Sequence, residues 1–119
     1  MKPLFFIDYD NTIFSHRTWS IPEDGLQTLE RLKSDGFRVI LASGRAFRSS
    51  DLPEEFQGRF TPDGLVSSNG AIIEAEGRLI HEKYFDPGLQ RRLLDYVTEK
   101  GYCLISNFDG VWCTSNLER

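Results

Sequence analysis

Residues 4–7 form an unbroken apolar run, Leu-Phe-Phe-Ile, and Asp8, Asp10 and Thr12 follow it at once. So short a run, with no polar alternation, predicts a strand covered on both faces, as in the parallel sheet of an α/β domain. Open α/β sheets keep their ligand chemistry at the carboxyl ends of their strands, so two carboxylates here mark a candidate site. Further along, Ser20 is read as the cap of a helix whose first turn holds Pro22, Glu23 and Asp24. Leu26, Leu29 and Leu32 mark its buried face, and Asp35-Gly36 supplies the stop. Residues 37–42 make a second apolar strand. Strand, helix, strand is a βαβ unit, which requires a parallel pair. Both strands then end on the same edge, and Asp8 and Asp10 should lie beside the Ser43-Gly44-Arg45 turn.

The pattern continues with a short helix over residues 45–52, ended by Pro53, and a third strand over 64–68. That strand runs into Asn69-Gly70 on the same edge. From there the signals change. Residues 71–75 and 78–84 flank Glu76-Gly77, a hairpin turn. Residues 87–100 are expected to be a helix with Leu89, Leu93, Leu94 and Val97 inward, stopped by Gly101. Residues 102–106 and 111–115 form a last strand pair around Asn107-Phe-Asp-Gly110. A change of layer near residue 70 divides the chain into residues 1–70 and 71–119.

Composition narrows the function classes. With 39% hydrophobic residues among 119, the chain has material for one modest globular core. A net charge of −4 and the lack of a basic stripe argue against nucleic-acid binding. No apolar run approaches the roughly 20 residues that cross a bilayer, and the amino terminus leads directly into a strand, so no membrane partner and a cytoplasmic location are expected. An anionic substrate would need a local positive centre such as a metal ion. Cys103 and Cys113 lack metal-ligand spacing. If residues 107–110 are a four-residue loop, Ser106 faces Val111 and Cys103 faces Thr114, so the thiols miss each other and stay free.

Two carboxylates two residues apart point to opposite faces of an extended strand, so the chain must turn after Ile7 for both to serve one pocket. One carboxylate can attack phosphorus while the other, protonated, hands its proton to the leaving oxygen. Magnesium suits such a hard-oxygen site. Donors from Thr12, Ser43 and Gly44 would stabilise a transferring phosphoryl group. Each piece also has a plain structural reading. The aspartates and Asn11 can form an Asx turn, Ser-Gly-Arg a helix entry, and Asn69-Gly70 and Asp109-Gly110 simple turns. His16 and His81 read as isolated surface or packing residues. A calcium loop of the EF-hand type would need glycine where Ile13 stands.

Three polar turns at the ends of three successive strands carry a resemblance. Phe5-Phe-Ile-Asp-Tyr-Asp-Asn-Thr12 resembles motif I of the haloacid dehalogenase (HAD) superfamily, and Leu41-Ala-Ser-Gly-Arg45 resembles its motif II. Ser67-Ser-Asn-Gly-Ala71 and the hairpin after it resemble the Cof-type branch, cap class IIB. The resemblance implies a partial HAD-like Rossmannoid parallel sheet over residues 1–70, then the start of an α/β cap over 71–119. By it, Asp8 would be the phosphorylated nucleophile and a magnesium ligand. Asp10 would be the general acid and base, offering its carbonyl to the metal. Ser43 would hold the phosphoryl group, Thr12 would support the loop, and Arg45 and Asn69 would stand at the mouth of the site near the cap hinge. Asn11 replaces the family's usual glycine and must adopt the same turn.

The resemblance further implies a lysine and an acidic Gly-Asp loop, which have no match in this chain. Lys83 and Lys100 fall in the cap region and do not substitute. The expectation is therefore the amino-terminal part of a Mg2+-dependent phosphatase acting on a small phosphorylated metabolite, such as a sugar phosphate, through an aspartyl phosphate. A phosphomutase, or a noncatalytic binding or assembly module, are the alternatives. The family's sheet order leaves the first strand with an open side, through which the chain is expected to self-associate unless a longer protein covers it.

Overall fold

The computed structural model describes residues 3–108 and 111–114, in two compact units, Met1–Glu82 and Lys83–Arg119. In the first unit, β1 (Leu4–Asp8), β2 (Arg38–Ala42) and β3 (Gly64–Ser67) run parallel. The hairpin of β4 (Ile72–Ala75) and β5 (Arg78–Glu82) adds two antiparallel strands, giving the order β1-β2-β3-β4-β5. The expected change of layer near residue 70 does not occur, because β4 pairs directly with β3. The Glu76-Gly77 turn has φ of 50° and 73°, a geometry the glycine accepts without strain and which matches the twist of the flanking strands.

Helix α1 (Glu23–Ser34) buries Leu26 and Leu29, as their spacing requires, with Glu23 and Asp24 at its positive end. Its cap position is Pro22 and not Ser20; Ser20 is bridged to Ser15 in the preceding loop. Register places Ile7, Leu41 and Leu65 side by side on one sheet face, and the core of Tyr9, Leu29, Val39 and Phe56 forms there. Burying each such side chain contributes roughly 1.5–3 kcal/mol. The opposite face carries Phe6, Ile40 and Gly64, and Phe6 is 65% exposed. The expectation of a strand covered on both faces therefore fails for β1. Both the α1 connection and the β2–β3 connection contribute to the core on the first face, and among the described residues β1 has a neighbour on one side only.

Residues 45–52 are not a helix. They turn, with an isolated bridge between Arg48 and Asp51, and a 3₁₀ turn follows at Glu54–Phe56. Buried Glu74 of β4 accepts hydrogen bonds from the Ser49 N–H and Oγ, both at 2.9 Å, and so holds this segment to the sheet. A side chain from another strand thereby takes a backbone donor that a helix would have used.

In the second unit, α2 (Pro87–Lys100) has Asp86 as its cap, accepting from the Leu89 N–H at 3.0 Å, and ends at Gly101 in the left-handed region. Of the four residues expected inward, only Val97 is buried; Leu89, Leu93 and Leu94 are exposed. Strands β6 (Ile105–Phe108) and β7 (Val111–Thr114) pair with Phe108 facing Val111, where the four-residue loop read from sequence set Ser106 against Val111. Cys113 then lies opposite Ser106, not in the expected register, and Cys103 is a free thiol. The Asp109-Gly110 tip and Ser115 lie outside the described residues.

Candidate active site

Parallel pairing sets Asp8 opposite Ala42, so the end of β1 and the Ser43-Gly44-Arg45 turn share one edge. The chain turns after Tyr9, two residues later than expected. The Tyr9 carbonyl accepts from the N–H groups of Thr12, Ile13 and Phe14 at 3.3, 3.1 and 2.9 Å. Asn11 sits at φ 59°, a left-handed position that asparagine tolerates, which accounts for a turn without the usual glycine. Tyr9 itself is buried in the core, and burial pushes its hydroxyl up to about 12.

On that edge lies a hollow of about 300 Å³ lined by Asp8, Ser43, Gly44 and Asn69, with Ala42, Val66 and Gly70. Backbone bonds stitch its two walls together. The Asn69 N–H donates to the Ser43 carbonyl at 3.2 Å, the Ser68 N–H to the Arg45 carbonyl at 2.9 Å, and the Ser43 N–H to the Val66 carbonyl at 2.8 Å. The Arg45 N–H donates to Ser43 Oγ at 3.0 Å, which fixes that hydroxyl. Asn69 holds φ 56°, again a left-handed residue at the site. Its Oδ1 approaches Gly44 so closely that a Cβ there would stand 3.0 Å from it, so any larger residue would push the Asn69 amide aside. Thr12 Oγ1 reaches toward Asp8 Oδ2 at 3.5 Å, a weak contact.

Asp10 is not among the residues lining the hollow. Its carboxylate accepts from Arg45 Nε at 3.1 and 3.0 Å and from Arg45 Nη2 at 2.6 Å. His16 Nε2 lies 2.6 Å from the same Oδ1. The Arg45 hydrogen bonds hold the Asp10 carboxyl below the usual range, against a smaller opposing effect of burial and with His16 adding to the lowering. Arg45 is in turn held by the faces of Tyr9 and Phe14, 5.1 and 5.0 Å from the ring centroids. The structure thus gathers the predicted residues into two adjacent groups, Asp8 with Ser43, Gly44 and Asn69, and Asp10 with Arg45.

His16, read as an isolated surface or packing residue, packs on Trp19 and contacts Asp10. No spacing rule links it to Asp10, since the contact depends on how the intervening loop folds. His81 stands exposed on β5, paired in register with Ile73.

Residues 5–119 match the model of the haloacid dehalogenase-like hydrolase family, and the chain belongs to that family. YkrA of Bacillus subtilis (strain 168) is 32% identical over 97 residues, which cover 81% of this chain and 36% of YkrA. A second relative from the same organism, the 5-amino-6-(5-phospho-D-ribitylamino)uracil phosphatase YitU, is 37% identical over 73 residues, 60% of this chain and 26% of YitU. Among solved structures, the HAD subclass IIB sugar phosphatase BT4131 superposes with a TM-score of 0.77 at 26% identity, covering 98% of this chain and 44% of that one. The fold is therefore the HAD Rossmannoid one, with its solved neighbours in the Cof-type subclass. The chain spans about a third of one of these curated relatives and about a quarter of the other.

Proposed function

We propose that this chain carries the nucleophile and phosphate-binding half of a phosphoric monoester hydrolase acting on a small phosphorylated metabolite. The observation that supports this most is the exposed carboxylate of Asp8 at the end of β1, opening on the hollow that Ser43, Gly44 and Asn69 share. Asp8 attacks phosphorus, a bond forms from its oxygen, and the ester P–O bond breaks. Asp10 supplies the proton to the leaving oxygen. It then takes a proton from the water that hydrolyses the aspartyl phosphate. Ser43 and the backbone of Gly44 orient the phosphoryl oxygens, Thr12 steadies Asp8, and Arg45 and Asn69 stand at the mouth.

The donors at this strand end are hard oxygens, the Asp8 carboxylate and the Asp10 carbonyl, which fits magnesium; that ion needs one or two carboxylates and otherwise keeps water. Among the described residues no group of three or more His, Cys, Asp or Glu gathers, so the chain offers part of a site. Bound there, magnesium would neutralise phosphate charge.

The Lys83–Arg119 unit is read as the start of the cap, with residues 71–82 joined to the core sheet. The open side of β1 and the bare Phe6 support association with a second copy, and the free thiol of Cys103 suits a reducing cytoplasm.

One observation favours a second reading, a noncatalytic module. Asp10 is held ionised by Arg45 and His16, the opposite of what a proton donor needs. Incubating the chain with a sugar phosphate and Mg2+, then acid-quenching for mass spectrometry, separates the two. Hydrolysis predicts phosphate release and a phosphate adduct on the Asp8 peptide, both abolished in Asp8→Asn. Neither signal in the unmodified chain selects the noncatalytic module, and unchanged release in Asp8→Asn removes Asp8 as nucleophile.

A further inference from the structure

Trp19 is 72% exposed, and it is held at φ 55°. A bulky residue in the left-handed region is a genuine outlier that the surrounding structure must enforce, and such outliers cluster at ligand-contacting sites. Enforcement is visible in the backbone. The Trp19 N–H donates to the Ser15 carbonyl at 2.7 Å and the Ser15 N–H to the Ser20 carbonyl at 2.9 Å, closing the loop on both sides. The hydrophobic effect alone would turn an indole inward.

The ring is positioned as well as exposed. Its plane lies 4° from that of His16 with centroids 5.5 Å apart, and Phe14 supports it edge-on at 6.2 Å. His16 Nε2 lies 2.6 Å from Asp10. One imidazole therefore separates the indole from the acid residue of the proposed reaction. Phe14 belongs to the buried core, so the stack rests on a rigid base.

We propose that Trp19 is a stacking platform for a planar heteroaromatic group carried by the phosphoester, and so a specificity-determining residue of this site. This rests on the phosphoester reading of Asp8 and narrows its substrate class. On that reading the ring would lie on the indole, which is joined to Asp10 through His16. Stacking serves any flat π-system and leaves ring-free sugar phosphates indifferent to Trp19.

Calorimetric titration of the full chain with flavin mononucleotide and with glucose 6-phosphate tests this, in the unmodified protein, Trp19→Leu and Trp19→Phe. In Trp19→Leu, flavin mononucleotide should bind roughly tenfold more weakly, as loss of one ring stack implies. Trp19→Phe should recover most of that loss, and glucose 6-phosphate should bind all three alike. Equal affinity of flavin mononucleotide for the unmodified and Trp19→Leu chains overturns the proposal. So does an equal loss for both ligands, which would make Trp19 a support of the loop. Binding is read without turnover, so the phosphatase reading fails separately, on the missing Asp8 adduct.

Discussion

The guanidinium of Arg45 grips the Asp10 carboxylate through two nitrogens, Nε at 3.0 and 3.1 Å and Nη2 at 2.6 Å, across 35 positions of sequence. Its main effect is to keep Asp10 ionised. A carboxyl lowered in the folded state contributes stability above its ordinary pKa of about 4, and that contribution is lost as pH falls through the folded value. In Arg45→Met the midpoint of Asp10, followed by carboxyl carbon NMR, should rise toward the ordinary value and the acid-side loss of stability should shrink. An unmoved midpoint would show that His16 alone sets the charge.

Gly44 meets the Asn69 side chain where a Cβ would stand 3.0 Å from Oδ1. Gly44→Ala should displace that amide by a few tenths of an ångström and distort the mouth of the hollow. Phosphate affinity should fall about tenfold while the melting temperature moves little, because the clash is met by a side chain and not by backbone. A large loss of stability with unchanged affinity would contradict this.

Lys33 donates to the Thr61 carbonyl at 2.6 Å and to Asp63 Oδ1 at 3.0 Å, while Asp63 Oδ2 accepts from the Val39 N–H at 2.9 Å. Burial opposes the charge on Asp63, but the Val39 N–H and Lys33 outweigh it and hold the carboxyl low. Lys33→Met should cost about 1–2 kcal/mol in urea unfolding near neutral pH. Stability should also decline as pH falls through the lowered Asp63 value, and Asp63→Asn should flatten that decline.

The face of β1 that carries Phe6 is bare, and its outer edge has no described strand beside it. If copies associate there, sedimentation should show species larger than the monomer, and Phe6→Lys should shift the distribution to monomer without changing the circular dichroism. A monomer at every concentration in the unmodified chain would end that reading.

Much of the first unit was legible because its signals are local. Four contiguous apolar residues ending at Asp8, leucines spaced along α1, and a Glu-Gly turn each specify their own element through short-range sterics and periodicity. The placement of Asp8 beside Ser43 followed from connectivity alone, since a strand-helix-strand unit must bring both strand ends to one edge. Residues 45–52 depart from the expected helix for the converse reason. Their conformation is held by Glu74, which lies 25 residues beyond Ser49 and carries no local mark of its partner.

By itself, then, the sequence determined β1, α1, β2, β3 and the Glu76-Gly77 hairpin, the parallel pairing of the first three strands, and the edge on which Asp8 and Ser43 meet. Tertiary structure alone decided that Asp10 turns to Arg45 and His16, that Trp19 stands outward on His16, and that Phe6 of β1 is left exposed. Turns and periodic faces depend on neighbours a few bonds away. The direction of a side chain at a site, and whether a strand face is covered, depend on groups that only the folded chain brings together.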